Sequence, residues 1–463
     1  MPTKSLTFSK PQNIFLVFGA FFGLILVFLN PPLQSPDEQA HLYRAWEISQ
    51  GTLSSNEKCE HYLPSNIEKF FNESGLLRIR DGGEKYNFKS SYKKLNDINV
   101  SSNLSKYTGT SCPYSLVPYI PYLPAIWIGK ILDASIINIF YIGRLSSLII
   151  YLLIIYNAIK LAPDFKKLFL FLGLIPVSMV QAASFSADGI VIGLGFLFIS
   201  LILNFSFGKE TPKIKKVHIV ILSLLSALLA LSKLPYFVLS LLSLIIPPNK
   251  FFSKRSYLMS TLSIVGSSIF AGSLWYFATK NIQVWILSTH EQFQNQLNFI
   301  RGNPIKYFEI FLQSTFVENF FDNFREFFGV IGWMSVFLPF SFILFYFAIL
   351  NFFAFKESQN FIKKISTDKR TYWRTISVLT LTILLIIFII STISYLVWTA
   401  KDGVGEYKIT GVQGRYYLPF SPLLFILPTL LLAKIKEKEK FLVVATILGS
   451  IAVTLSFVYS RYY

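Results

Sequence analysis

Charge is what this chain has least of. Only 15% of its residues are Asp, Glu, Lys or Arg, against 53% hydrophobic, whereas soluble globular chains run at roughly 25% charged. A soluble enzyme of 463 residues is excluded on that ground, and a polytopic membrane protein is expected. Histidine and cysteine are scarce too. His41, His61, His218 and His290 are scattered, Cys59 and Cys112 are the only cysteines, and no Cys-x-x-Cys occurs, so a zinc site is not expected. No glycine-rich phosphate loop is present and no loop on the basic side of the spans is large enough for a nucleotide-sugar domain. No internal repeat is visible and the apolar runs are mostly clean at their centres, unlike a transporter with its site at the bilayer midplane. No small-residue cleavage site follows the first apolar run, Ile14 to Leu29, so that run is expected to remain as a span.

What is there is a series of apolar, phenylalanine-rich runs separated by short basic segments. Eleven spans are expected, at about 12–30, 138–159, 168–184, 188–207, 217–233, 235–248, 257–279, 329–355, 375–398, 416–433 and 441–459. The net charge of +18 suggests nucleic acid until its distribution is read. With the N-terminus inside, segments 1–11, 160–167, 208–216, 249–256, 356–374 and 434–440 are cytoplasmic and together carry +16. Outer segment 31–113 has ten basic and ten acidic residues, and outer segment 280–328 has four and five. This asymmetry sets the orientation by the positive-inside rule and leaves no basic face for nucleic acid. The expectation is a multi-pass cell-membrane (plasma or inner membrane) protein with a cytoplasmic N-terminus, one transmembrane domain over 1–463, a first extracytoplasmic loop at 31–137 and a second at 280–328.

Tyr114 to Leu132 is apolar but interrupted by Pro118, Pro121 and Pro124. If it spanned, the next basic segment would fall outside, so it is read as an interfacial helix on the outer leaflet. Both cysteines lie in 31–113, and a Cys59–Cys112 disulfide is expected there, closing a loop of about 54 residues and contributing ~4 kcal/mol in the loop-entropy account.

The most informative stretch is Ser-Pro-Asp-Glu-Gln-Ala-His-Leu-Tyr-Arg-Ala-Trp, residues 35–46. It puts Asp37 and Glu38 where the first span leaves the membrane, a costly place for carboxylates. Ser35 as N-cap, Pro36 at the first helical position and Glu38 three after Ser35 form a capping box, which gives Glu38 a structural reading beside a catalytic one. A helix starting there would set Asp37, His41 and Arg44 on one face, suited to a general base beside an anion binder. Arg144, Asp188, Lys233 and Arg415 fall at the same outer level. Three of the four are cations, which suits a lipid phosphate, and each taken alone also reads as a snorkelling or helix-end charge. Arg415 ranks first among them, because Gly411 and Gly414 would let the backbone approach a ligand closely.

The stretches 36–45, Gln-Ala-Ala-Ser-Phe-Ser-Ala-Asp (181–188), Lys-Leu-Pro-Tyr (233–236), Gly-Val-Ile-Gly-Trp (329–333) and Gly-Val-Gln-Gly-Arg-Tyr-Tyr-Leu-Pro (411–419) resemble, in order, a bacterial multi-spanning membrane-protein family of unknown function grouped with the GT-C glycosyltransferase superfamily. Where that family has a second proline after Asp-Glu, this chain has Gln39. The resemblance implies an all-α polytopic GT-C-like fold of about eleven transmembrane helices, with interfacial helices in a large first outer loop. It implies transfer of a sugar from a polyprenyl-phosphate-linked donor to a glycan or lipid acceptor on the extracytoplasmic face. Asp37 and Glu38 take the catalytic place, and His41, Arg44, Arg144, Asp188, Lys233, Gln413 and Arg415 the substrate-binding ones. Asp37 and Glu38 with one further acid could hold a divalent cation, Mg or Mn. The alternatives are a transporter or flippase of lipid-linked saccharides, or a polymerase.

Overall fold

The structure is a computed structural model, and it describes residues 10–208, 213–284, 287–366, 368–431 and 440–463. It is mostly helical. Among the described residues, seven helices are long and apolar enough to cross a membrane: Pro11–Leu29, Ile136–Leu161, Asp188–Phe207, Lys254–Thr279, Phe340–Ile365, Lys369–Lys401 and Leu442–Tyr462. These fit an all-α multi-pass protein. The other four expected spans are shorter or broken. The 168–184 run divides into Lys166–Leu174 and Pro176–Ala182; Pro176 lacks an N–H and turns Ile175 to ψ 136°. The 217–233 run is the helix Lys216–Ser232, and the 235–248 run is a 3₁₀ helix, Leu234–Ile245. Twelve residues in that tighter winding reach about 24 Å, against about 18 Å as α-helix. The 416–433 run becomes a 3₁₀ helix, Gly414–Phe420, followed by Ser421–Leu431.

The first helix, α1 (Pro11–Leu29), packs on Ile136–Leu161. Gly19 and Gly23, four residues apart, open the groove: a Cβ on Gly19 would sit 2.8 Å from Leu152, and one on Gly23 would collide with Leu148. Two small residues at that spacing allow close helix approach where lipid offers no hydrophobic drive.

Contacts fix which segments share an end of the bundle. Trp275 Nε1 donates to the Pro113 carbonyl at 2.7 Å, Gln283 N–H to Glu57 at 2.7 Å, and Arg461 to the Ile79 and Arg80 carbonyls at 3.2 and 2.7 Å. Segments 31–137 and 280–328 and the C-terminal residues therefore meet at one end. At the other, Lys364 pairs with Asp164 at 2.6 Å and Glu357 accepts the Lys167 and Leu168 N–H groups at 3.0 and 3.1 Å. This sorting of segments is the one the charge pattern requires; the basic segment 434–440 lies outside the described residues apart from its last position.

The 31–137 segment has its own small framework. Helix α2 (Glu38–Ser49) is buried along most of its length. Strand β1 (Glu60–Pro64) pairs antiparallel with β2 (Leu104–Thr108), Glu60 opposite Thr108. Cys59 and Cys112 form the expected disulfide, Cα–Cα 5.6 Å. The apolar 114–132 stretch is a 3₁₀ helix, Val117–Tyr122, then Leu123–Ile131. Nine α-helical residues cover about 13 Å, too little to cross a bilayer, and Ile131 is 81% exposed.

Candidate functional site

The chain leaves α1 through Asn30 and turns twice with left-handed backbone, at Leu33 (φ 67°) and Asp37 (φ 63°). Left-handed backbone costs a non-glycine residue about 1 kcal/mol or more, Asp least among the charged residues. The expected cap is corrected here. Asp37, not Ser35, precedes the first helical residue, and it makes no side-chain cap bond. The Ser35 hydroxyl instead accepts from Asn30 Nδ2 at 2.8 Å. Half of the capping box survives: Glu38 Oε2 accepts the Ser35 N–H at 3.2 Å.

That left-handed residue sends Asp37 and Glu38 in different directions. Glu38 is fully buried and meets Arg144, also fully buried. Arg144 Nε donates to Oε1 at 2.9 Å and Nη2 to Oε2 at 2.7 Å. The remaining Arg144 N–H groups reach the carbonyls of Val27, Asn30 and Pro31 at 2.9, 2.6 and 3.1 Å. Glu38 Oε1 also accepts the Phe185 N–H at 2.8 Å. The pair ties the end of α1, the start of α2, the second long helix and the 183–187 turn together, and it satisfies carbonyls that α1 leaves open at its C-terminus. With every N–H engaged, Arg144 has none left for a phosphate, and Glu38 has no face open to a substrate.

Asp37 faces the other way, its side chain 47% exposed, and its Oδ2 accepts from Arg415 Nη2 at 2.8 Å. Arg415 Nε lies 3.5 Å from Asp188 Oδ2, and Asp188 Oδ1 is 3.1 Å from Lys233 Nζ. Lys233 Nζ also sits 4.0 Å from the centre of the Tyr416 ring, a cation–π contact. Asp37, Arg415, Asp188 and Lys233 thus form one chain of alternating charge drawn from four distant stretches, as the shared membrane level suggested. Arg415, 8% exposed, keeps unused capacity: its Nε is buried without a hydrogen-bond partner.

His41 lines this cluster and holds Tyr119 OH with Nδ1 at 2.7 Å. Burial pulls its pKa down to about 4, outweighing Asp37 and Asp188, which raise it. It is neutral near pH 7, so the site has two cations and not three. Arg44 does not join. It donates to Tyr114 O at 3.0 Å, Glu47 at 2.6 Å, Ser55 at 3.1 Å and Leu53 O at 2.5 Å, tying α2 to the loop behind it. Of the expected common face, Asp37 and His41 meet at this cluster and Arg44 does not. Gln413 precedes the Gly414–Phe420 3₁₀ helix, and among the described residues its side chain makes no hydrogen bond.

The glycines around Arg415 serve packing, not a ligand. A Cβ on Gly414 would collide with Asn323 O and Phe327 N, and Gly411 (φ 83°) lies against Trp398. Glu326 accepts the Gly414 N–H at 2.7 Å. Burial raises the Glu326 carboxyl above its ordinary value. Tyr119, Tyr416 and Glu326 were missed in the sequence; only Tyr416, next to Arg415, carried a hint. Two residues on, Tyr417 lines an apolar cavity of about 370 Å³ walled by Phe324, Phe327, Phe347 and Phe425.

The residues do not fit a divalent cation at Asp37 and Glu38. Glu38 is bound to Arg144, and Asp37 shares its exposed region with a guanidinium. Among the described residues only Cys59, His61 and Cys112 bring metal-ligand atoms close together.

No curated protein and no solved structure matches this chain. Its residues 18–424 match one family model. The charge cluster and all five matching stretches lie within that span, and the chain belongs to the family described as predicted membrane protein (DUF2142).

Proposed function

We propose that this chain is a GT-C-type membrane glycosyltransferase. It moves a sugar from a polyprenyl-phosphate-linked donor to a hydroxyl of a glycan or lipid acceptor on the extracytoplasmic face. The carrying observation is the Asp37–Arg415 contact: a half-exposed carboxylate 2.8 Å from a buried guanidinium whose Nε, though 3.5 Å from Asp188, makes no hydrogen bond. The basic segments at the opposite end of the bundle support the extracytoplasmic side. The phenylalanine-walled cavity beside Tyr417 supports a lipid-borne substrate.

In this reading the donor phosphate takes Arg415 and Lys233 as counter-charges. Asp37, released from Arg415, accepts the proton of the acceptor hydroxyl as that oxygen bonds to the anomeric carbon. The bond from the anomeric carbon to the phosphate oxygen breaks, and the two cations stabilise the charge left on the phosphate. Glu38 and Arg144 hold the frame.

The test uses purified protein in nanodiscs with a panel of polyprenyl-phosphate sugars. Asp37→Asn keeps size and removes basicity; turnover falls by about a hundredfold or more, with donor binding retained. Arg415→Ala raises the donor KM by roughly 10- to 100-fold, the scale of a lost charged hydrogen bond. A folded Asp37→Asn protein with normal turnover refutes the assignment. Movement of intact lipid-linked saccharide between leaflets, with no sugar released, would favour the transporter.

A further inference from the structure

The Cys59–Cys112 pair has a third metal-ligand type of side chain beside it, two residues after Cys59. His61, on β1, is fully buried, with Nε2 3.2 Å from Cys112 Sγ and Nδ1 2.9 Å from Glu47 Oε2. Glu47 is itself fixed by Arg44 Nη1 at 2.6 Å and Ser55 Oγ at 2.7 Å. A Cβ on Gly109 would collide with His61 Nε2, so glycine lets the loop close against the imidazole edge. One ring nitrogen is therefore locked to a carboxylate and the other aimed at two sulfurs. A disulfide needs none of this. It is the arrangement by which proteins orient a metal-binding histidine, with an outer carboxylate fixing tautomer and ring direction. The ligand atoms of Cys59, His61 and Cys112 all lie within 4.8 Å of one another.

We propose that the reduced form of this cluster is a zinc site, with Cys59, His61 and Cys112 as ligands and Glu47 orienting His61. The disulfide accepts two electrons from a thiol or phosphine reductant, which is oxidised, and the sulfur–sulfur bond breaks. Each thiol gives its proton to solvent as zinc binds. The His61 imidazole contributes its Nε2 lone pair and keeps its Nδ1 hydrogen bond to Glu47. Two thiolates balance the ion's charge, which a site with no solvent exposure requires. Two sulfurs and an imidazole select zinc over hard cations such as magnesium or calcium. The Gly109 carbonyl oxygen, 3.0 Å from Cys59 Sγ, would serve as a fourth ligand.

The experiment uses the full chain in detergent, reduced with a small phosphine, desalted without oxygen and titrated with Co²⁺ and then Zn²⁺. Reduced wild-type protein binds one equivalent of Co²⁺ with the intense visible bands of a tetrahedral sulfur–nitrogen site, and Zn²⁺ displaces it. Glu47→Gln weakens zinc binding by about 10- to 100-fold, His61→Ala removes the bands, and the unreduced protein binds nothing at this site. The Cys59→Ser, Cys112→Ser double variant supplies the background. Reduced wild-type protein that binds no more metal than this variant overturns the proposal, as does binding indifferent to His61→Ala. If reduction unfolds the protein, Zn²⁺ present during reduction preserves the melting transition; failure to do so overturns it equally. The outcome is independent of the glycosyltransferase reading, since no residue is shared with the Asp37 site.

Discussion

Removing Arg144 tests whether the most acidic-looking motif of the chain is partly scaffold. Arg144→Met keeps a long apolar stem and deletes the guanidinium. Glu38 is then left fully buried with two N–H donors and no counter-charge. Breaking a buried pair from one side costs about 3–5 kcal/mol. The Val27, Asn30 and Pro31 carbonyls lose their donor as well, and an unsatisfied buried acceptor costs about 1 kcal/mol or more. Scaling the usual relation between free energy and melting temperature to this chain length gives a fall of roughly 5–10 °C. Glu38→Gln loses less, because its amide oxygen still accepts the Phe185 N–H and Arg144 keeps its three carbonyls. The double variant melts higher than the summed losses, by up to about 3 kcal/mol, because the partners touch. Thermal unfolding in one detergent, read by fluorescence-detected gel filtration, measures all three. An Arg144→Met protein that melts with the wild type refutes the reasoning. One that stays folded and binds the lipid donor weakly returns Arg144 to the site.

The two aspartates should part company: Asp188→Asn strips the shared counter-charge from partly buried Lys233 and buried Arg415 and costs about 3–5 kcal/mol, whereas Asp37→Asn, at a half-exposed position, leaves the melting temperature within a few degrees of wild type. His41, with a folded pKa of about 4 against 6.5 unfolded, stabilises the protein fully above pH 6.5; that contribution, about 3 kcal/mol, is lost as pH falls towards 4. His41→Asn should flatten the melting profile over that interval, and an unchanged slope would contradict it. For orientation, cysteines introduced at Ser90 and Asn298, both exposed, should react with an impermeant maleimide on intact cells; labelling of either only after the inner face is opened would reverse the topology.

The long apolar helices were legible because they rest on one coarse quantity, apolar length. Their interiors were not. Hydropathy sees Leu234 to Ile245 as a short apolar run and carries no signal that it winds as a 3₁₀ helix, because backbone pitch is set by neighbours. The charged residues were legible as a set, since each is conspicuous in so apolar a chain. Their pairing was not. Arg144 and Arg415 look alike in sequence, yet one is saturated by Glu38 and three carbonyls and the other keeps an Nε without a hydrogen bond. Asp37 and Glu38 are adjacent, and a single left-handed residue sends them to opposite partners. His61 stands two residues after Cys59, yet only the pairing of β1 with β2 brings it to Cys112.

Each member of the candidate site stands where regular helix stops. Asp37 is the left-handed residue before α2, Asp188 opens a helix after the 183–187 turn, Lys233 joins an α-helix to a 3₁₀ helix, and Arg415 is in the first turn of another. A helix in lipid satisfies its own backbone and offers charged side chains nothing, so charges gather where helices break and other segments can supply partners. Two carboxylates and two cations in alternation carry no net charge, which is what lets Asp188, Lys233 and Arg415 be buried. The cluster is neutral but not saturated. On the proposed function, an arriving phosphate replaces Asp37 on Arg415, one anion for another, and Asp37, at the exposed end of the chain of charges, is the carboxylate that can be displaced with least loss. The base is then free only while the donor is bound. Hydrolysis of the donor by water is limited for the same reason, since a free Asp37 and an empty acceptor position coexist only between donor arrival and acceptor arrival.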